Sequence, residues 1–420
     1  MVVPTEKLQP EISRAQAPTS APGIPGSPAF TVEVRDESEG LEAYVCIHSI
    51  GEWGSSGGMR CVEDVTREEV ELLARAMTFK FSFFGIPQGG AKAGLRLPYD
   101  AAPAERVRLI RAAARHLEPL LKRSNLWSVW TDMNFYLDDL RLFLASIGLS
   151  APAPADATSF SSTVRTAVMG FWSIEACARH FALSRGASVA IEGYGGVGEQ
   201  LAKLLVGSGF KVSAVSNHLG AVANPAGLDL ALLAEAKRRY GSSWVLSKGP
   251  WETLSREELF TTGVDILVPG ARVHSIDRDL ATRLQARLIA PVANVPCTPG
   301  ALDQLDARGI HYIPDFVVGG GGVCGWIQSV DDDYGSEYKD MIVRLLRKAD
   351  GMGVPPRRLC EDVAHQGFEA IQANAYASST LSRRLLVRAR RVIPLNAWLD
   401  SSSRDATARA RAQRLRLLFS

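Results

Sequence analysis

The segment Val189-Ala190-Ile191-Glu192, then Gly193-Tyr194-Gly195-Gly196-Val197-Gly198, then Glu199-Gln200-Leu201-Ala202-Lys203-Leu204-Leu205, constrains this chain more than any other. An apolar run, a Gly-x-Gly-x-x-Gly turn and a helical run, in that order, make the strand-turn-helix of a dinucleotide-binding unit. The first glycine permits the tight turn, the second lets the backbone approach a pyrophosphate, and the third allows close helix-strand packing, with the helix N-terminus facing the anion. Gly193, Tyr194, Gly195, Gly196, Val197 and Gly198 are therefore candidate cofactor-binding residues. The carboxylate that would hold an NAD ribose, expected about 20 positions on, is missing. Val215-Ser216-Asn217-His218 stands there instead; Asn217 can bond a ribose hydroxyl, so both NAD and NADP remain open.

The same pattern repeats around this turn. Val212-Ser213-Ala214-Val215, Val264-Asp265-Ile266-Leu267-Val268, Leu288-Ile289-Ala290 and Tyr312-Ile313 are short apolar runs separated by longer segments, which predicts βαβ units in a doubly wound parallel sheet over 151–330. The Ala/Pro stretch Ser150-Ala151-Pro152-Ala153-Pro154-Ala155 reads as a hinge before it, and residues 331–420 read as helices that pack back on the first domain. Arginines crowd the end, from Arg383 to Arg416, interleaved with leucines that want burial. With 47 Lys plus Arg against 45 Asp plus Glu, the net charge of +2 is too small to steer nucleic acid or anionic membranes. No apolar run is long enough to span a bilayer, so the expected location is cytoplasmic. The six cysteines show no metal or disulfide spacing and read as packed, reduced thiols.

Residues 1–30 are rich in Pro, Ala, Ser and Gly and predict a flexible arm; residues 31–150 predict a mixed α/β domain. It opens with strand-like Phe30-Thr31-Val32-Glu33-Val34 and Ala43-Tyr44-Val45-Cys46-Ile47, then a glycine-rich break over 51–58. Thr66-Arg67-Glu68-Glu69 has capping-box form, and Val70, Leu73, Ala74 and Met77 recur at helical spacing, predicting a helix over 66–83. Lys80 lies seven residues after Leu73, which returns it to within about 20° of the same face. A cation on that buried stripe needs an anion, and no acidic residue lies between Glu71 and Asp100, so a ligand carboxylate is a candidate partner; a snorkelling structural lysine is the alternative. Lys92 is surrounded by small residues in Gly89-Gly90-Ala91-Lys92-Ala93-Gly94 and reads as presented rather than packed. Two amines converging on one cleft lower each other's pKa, which suits one of them to act as a base. Asp132 follows the strand-like Leu126-Trp127-Ser128-Val129-Trp130 and offers an acid/base carboxylate, or simply a cap.

Gly57-Gly58-Met59-Arg60, Lys80, Gly89 to Gly94 and Asp132-Met133-Asn134, followed by the glycine turn, Asp265 to Pro269, Ala293-Asn294, Pro314-Asp315 and Gly321-Gly322-Val323, resemble the glutamate/leucine/phenylalanine/valine dehydrogenase family. The resemblance implies a two-domain homo-oligomeric enzyme that oxidatively deaminates an L-amino acid to a 2-oxo acid and ammonia with NAD or NADP, and runs the reverse amination. By resemblance, Lys80 binds the substrate α-carboxylate, Lys92 activates water and Asp132 shuttles protons at the amino group. Gly57, Gly58, Met59, Asn294 and Val323 match substrate-side positions; Asn294 also lies beside the nicotinamide, and Thr166 near its carboxamide.

Two departures bear on the substrate. Glutamate-specific members carry a lysine before the matching Gly-Gly, where Ser56 stands, and a serine after Gly321-Gly322-Val323, where Cys324-Gly325-Trp326 follows. An apolar or aromatic side chain is therefore expected in preference to glutamate. Pro291 for a usual Glu, and Gly319 for a usual Asn in a four-glycine run expected to be mobile, keep two alternatives in view: a glutamate enzyme with an atypical pocket, and a non-catalytic regulatory or assembly member of the fold.

Overall fold

A computed structural model of the protein describes residues 24–98, 100–122, 126–150, 162–184, 186–324 and 332–377. Most of the predicted arm, the Ala/Pro hinge from residue 151, Trp326 and the arginine-rich end lie outside these residues. The first half comprises β1 (Phe30–Asp36), β2 (Leu41–Ile47), β3 (Ser55–Cys61), α1 (Arg67–Phe83), β4 (Gly89–Leu95), α2 (Pro103–Lys122), β5 (Ser128–Thr131) and α3 (Leu137–Ala145). Its strands form one sheet in the order β1-β2-β4-β3-β5, with β3 parallel to both β4 and β5.

The glycine-rich break predicted over 51–58 is in large part a strand. Every residue of β3 is buried, and β4 is equally buried although it reads Gly-Gly-Ala-Lys-Ala-Gly-Leu. Strand propensity is low in both, and context overrides it, because neighbouring backbone comes too close for side chains. A Cβ on Gly57 would collide with the Ala91 carbonyl oxygen, and one on Gly90 with the Thr78 amide of α1. The helix thus lies directly on β4. It begins where the capping residues predict, the Thr66 hydroxyl accepting the Glu69 N–H at 3.2 Å, and its stripe of Val70, Leu73, Ala74 and Met77 is buried.

The second half comprises α4 (Ser162–His180), β6 (Ser188–Ile191), α5 (Gly196–Gly207), β7 (Lys211–Asn217), β8 (Gly220–Ala223), α6 (Leu230–Tyr240), a 3-10 turn (Gly241–Leu246), β9 (Glu252–Leu254), α7 (Arg256–Thr261), β10 (Ile266–Val268), α8 (Arg278–Arg283), β11 (Leu288–Ile289), α9 (Pro299–Ala307), β12 (His311–Tyr312), α10 (Asp315–Val318) and α11 (Gly321–Cys324). The sheet order is β12-β11-β10-β6-β7-β8-β9. The five strands foreseen in the sequence, from β12 to β7, are parallel as predicted, and an unforeseen antiparallel pair, β8 and β9, extends the far edge. Two long helices follow, α12 (Asp332–Met352) and α13 (Pro356–Ala377). The second returns to α1, so closely that a Cβ on Gly367 would strike the Ser82 carbonyl. All six cysteines are free and buried.

Candidate active site

Four elements bring the candidate residues together. Lys80 rides the buried stripe of α1, Lys92 is the middle residue of β4, Asp132 follows β5, and Asn294 comes from the loop after β11. The last belongs to the second sheet, so the cluster sits where the two halves meet. Lys92 Nζ lies 2.6 Å from Asp132 Oδ2, and Arg60, two residues beyond Gly58 on β3, approaches the same oxygen at 3.6 Å while pairing with Glu69 at 2.5 Å. Gly58 makes room for this: a Cβ there would lie 2.8 Å from that of Asp132. The turn carrying Asp132 is pinned by Arg106, which holds both Asp139 oxygens and the Asn134 carbonyl, Asn134 itself having a left-handed φ of 54°.

Lys80 takes a different set of partners. Its Nζ donates to Asn294 Oδ1 at 3.1 Å and to the Gly319 carbonyl at 2.9 Å, both from the second half. An ammonium has three N–H groups, so one remains for a ligand. Burial pushes the Lys80 amine down to about 8, against the pull of the Asp315 carboxylate and with a further push from Lys92. Burial lowers Lys92 as well, Asp132 opposing and Arg60 assisting. Burial alone would raise the Asp132 carboxyl, but Lys92 and Arg60 outweigh it and hold it well below the usual carboxylate range.

Lys92 is not the presented residue that its small neighbours suggested. It is 3 % exposed, lodged on a buried strand, and the glycines around it admit backbone rather than solvent. Met59 is also placed differently from expectation: its side chain points to the opposite face of the sheet, in the core with Ala91, Ala93 and Phe143, leaving only its backbone on the lysine side. Val323 is buried in the core that α1 shares with α4 and α10. The run Gly319 to Gly322 is packed rather than loose; a Cβ on Gly321 would strike the Arg165 carbonyl, and one on Gly322 would approach Thr166 Oγ1 at 3.7 Å. The Thr166 hydroxyl donates to the Ser162 carbonyl at 2.8 Å.

At the carboxyl end of β6, the glycine turn has the shape a pyrophosphate needs. Gly193 has φ of 89°, Gly198 packs against the Gly193 carbonyl where a Cβ would collide, and a Cβ on Gly195 would meet nothing within 4 Å. That open space at the head of α5 fits a dinucleotide. Asn217 ends β7 as expected, yet its amide is engaged, donating to the Ser242 carbonyl at 2.6 Å and accepting the Leu219 N–H at 2.8 Å. Sequence reasoning missed Glu192, just ahead of the turn, whose carboxylate accepts the N–H groups of Gly270 and Ala271 and the Ser275 hydroxyl. Arg272 on that loop reaches across to Asp64 at 2.5 Å. Neither pair is close in sequence, so no spacing announces it.

The Glutamate/Leucine/Phenylalanine/Valine dehydrogenase family model matches residues 161–330, and the Glu/Leu/Phe/Val dehydrogenase dimerisation domain matches residues 28–128. The chain belongs to this family. It is 34 % identical over 288 residues to the NADP-specific glutamate dehydrogenase A1 of Halobacterium salinarum, covering 65 % of this chain and 69 % of that one. It is 31 % identical over 309 residues to an NAD-specific glutamate dehydrogenase of Staphylococcus aureus, covering 70 % and 74 %. Among solved structures, the leucine-bound hetero-hexameric glutamate dehydrogenase of Thermus thermophilus superposes with a TM-score of 0.70 at 26 % identity, covering 82 % of this chain and 89 % of that one. The L-tryptophan dehydrogenase of Nostoc punctiforme shares the fold at a TM-score of 0.54 and 22 % identity, covering 82 % and 97 %. The chain is thus an amino-acid dehydrogenase, an oxidoreductase that uses NAD or NADP. Among the described residues no helix is long and apolar enough to cross a membrane.

Proposed function

We propose that this dehydrogenase oxidatively deaminates an L-amino acid with an apolar or aromatic side chain, in preference to glutamate, and catalyses the reverse amination of the 2-oxo acid. The observation that carries this reading is the spent state of the groups beside Gly57 and Gly58. Ser56 is fully buried, and its hydroxyl donates to the Ser128 carbonyl at 3.3 Å in place of a lysine. Lys92 and Arg60 each already face a carboxylate, so of these three residues none is left to pair with a second substrate carboxylate.

The α-carboxylate goes to the remaining N–H of Lys80, which orients Cα toward the second half. A nicotinamide held there would supply a hydride acceptor for that Cα. Lys92, lowered by burial, removes a proton from the water that adds to the resulting iminium carbon, and Asp132, 2.6 Å away, receives that proton and returns it to the departing amine. Burial of the amine and carboxylate excludes bulk water, so the iminium carbon meets only the water that Lys92 holds. Gly193 to Gly198 would hold the pyrophosphate, with Thr166 and Asn294 toward the nicotinamide. Assembly as a homo-oligomer and a cytoplasmic location complete the proposal, the former in keeping with the match to a dimerisation domain.

Glutamate remains the second reading, favoured by the relatives at 31–34 % identity. Ultraviolet detection of NADH and NADPH formation with leucine, phenylalanine, tryptophan and glutamate decides between them. We expect the apolar and aromatic substrates to exceed glutamate in kcat/KM by about tenfold or more, the scale of one lost charged contact. Clear superiority of glutamate would sink the preference.

A further inference from the structure

Both acceptors that hold Lys80 are themselves hung from one residue. Asn294 is followed by Val295, whose N–H faces the Asp315 carboxylate, and the Gly319 N–H is taken by the Asp315 carbonyl at 2.8 Å. Asp315 is 7 % exposed, and its Oδ2 has no hydrogen-bond partner among the described residues. Val295 has a φ of 50°, a left-handed conformation that is a true outlier for a β-branched residue and costs of order 1–3 kcal/mol. The turn is flanked on both sides: its N–H faces the Asp315 carboxylate, and its carbonyl accepts the His274 N–H at 2.9 Å. Strain of this kind marks a place where position matters, here the presentation of Asn294 to Lys80.

We propose that Asp315 is the positioning residue of this active site: its carboxylate fixes the strained Val295 turn and faces the Lys80 ammonium, so that Lys80 stays charged and keeps one N–H aimed at the substrate α-carboxylate. It goes beyond the substrate preference above and rests only on the assignment of Lys80 to that carboxylate. A buried ammonium held by two neutral oxygens alone would lose its proton readily, whereas a buried carboxylate nearby favours the charged form. Lys80 is faced by Asp315 from α10, Lys92 from β4, Asp132 after β5 and Cys324 from α11; Asp315 is faced in turn by Lys80, Cys297 and Tyr312. Lys92 and Asp132 act on Lys80 in opposite directions, and Asp315, although burial raises its own carboxyl, is the largest of the influences that favour the charged form of Lys80.

The test is the KM of the 2-oxo acid as a function of pH, since that substrate has no amine to titrate, in the wild type, Lys80→Met and Asp315→Asn. Asparagine keeps an acceptor for the Val295 N–H and removes only the charge. We expect Asp315→Asn to move the alkaline rise in KM to lower pH and raise KM at neutral pH about ten- to a hundredfold, with a much smaller change in kcat. If Lys80→Met leaves KM unchanged, the assignment of Lys80 fails and the proposal falls with it. If Lys80→Met raises KM while a folded Asp315→Asn shows the wild-type profile, the positioning role alone is overturned. Should Asp315→Asn not fold, the profile is read in Asp315→Asn combined with Val295→Gly, because glycine needs no grip to hold a left-handed φ; failure of that pair to fold would make Asp315 architectural and overturn the proposal.

Discussion

The glycines around the lysines and the glycine at the head of α5 serve opposite purposes. In the first sheet, Gly57, Gly58, Gly89 and Gly90 are fully enclosed, and a Cβ at any of them would run into backbone of a neighbouring strand, of the loop after β2 or of α1. In the second, a Cβ on Gly195 at the head of α5 would meet nothing within 4 Å. One set lets the protein approach itself, and the other leaves room for something else. The difference explains how Lys92 comes to be buried: the enclosed glycines draw β3, β4, β5 and α1 together until an amine, a guanidinium and a carboxylate share one dry space. The open glycine adds no such contacts, and its value appears only with a ligand.

The comparison breaks first at Gly57→Ala. The added methyl has no cavity and no flexible neighbour to displace, so we expect a loss of about 4 kcal/mol or more, read as insoluble expression or collapse of the thermal transition. A soluble Gly57→Ala protein with wild-type melting would mean that the sheet is looser than it looks. Next in size is Lys92→Ala, where turnover should fall about 10²–10⁴-fold while NADH and NADPH bind as before, as followed by fluorescence titration. Gly195→Ala sharpens the contrast: melting unchanged, nucleotide KM raised about tenfold as the methyl takes the space of a phosphate. Equal damage to stability would show that the space is structural after all.

A pH series separates the two lysines in the same way. Lys80, pushed down to about 8, is the charged form below that pH and the neutral form above it. The wild-type KM for the 2-oxo acid should therefore be flat below about pH 8 and climb roughly tenfold per unit above it, because only the ammonium attracts the carboxylate. A KM flat to pH 10 would assign that carboxylate elsewhere.

How legible all this was depended on whether the information was local. The helix α1 was readable because Thr66, the buried stripe and Lys80 are ordered by a single helical period, and the parallel strands because each is an apolar run between longer segments. The glycine turn was readable because its three constraints fall within six residues. β3 was not, since the buried context that lets Ser-Ser-Gly-Gly-Met-Arg-Cys extend is supplied by α1 and β4, and glycine-rich composition ordinarily signals a turn. Met59 was misplaced by one pleat: its neighbours Gly58 and Arg60 face the lysines, so it cannot. The surroundings of Lys80 come from Asn294 and Gly319, more than 200 positions away, and in part through backbone groups, which carry no residue signature.

The smallest effect tests the seam between the halves. Glu192 ties the start of the nucleotide turn to the loop of Gly270 to Ser275, and Arg272 on that loop pairs with Asp64 of the first half at 2.5 Å. The Asp64 side chain is 58 % exposed and that of Arg272 31 %, so solvent screens the pair and its worth is at most about 1 kcal/mol. Arg272→Gln should accordingly shift melting little, raise KM for nucleotide and 2-oxo acid by no more than about fivefold, and weaken the salt dependence of both. If the pair links nucleotide binding to the closeness of the halves, Asp64→Asn and Arg272→Gln will each raise both constants, and the double variant will do no worse than either. Additive effects would reduce the contact to two independent surface charges, leaving Lys80 with its acceptors Asn294 and Gly319 as the polar contact between the halves at the lysine cluster.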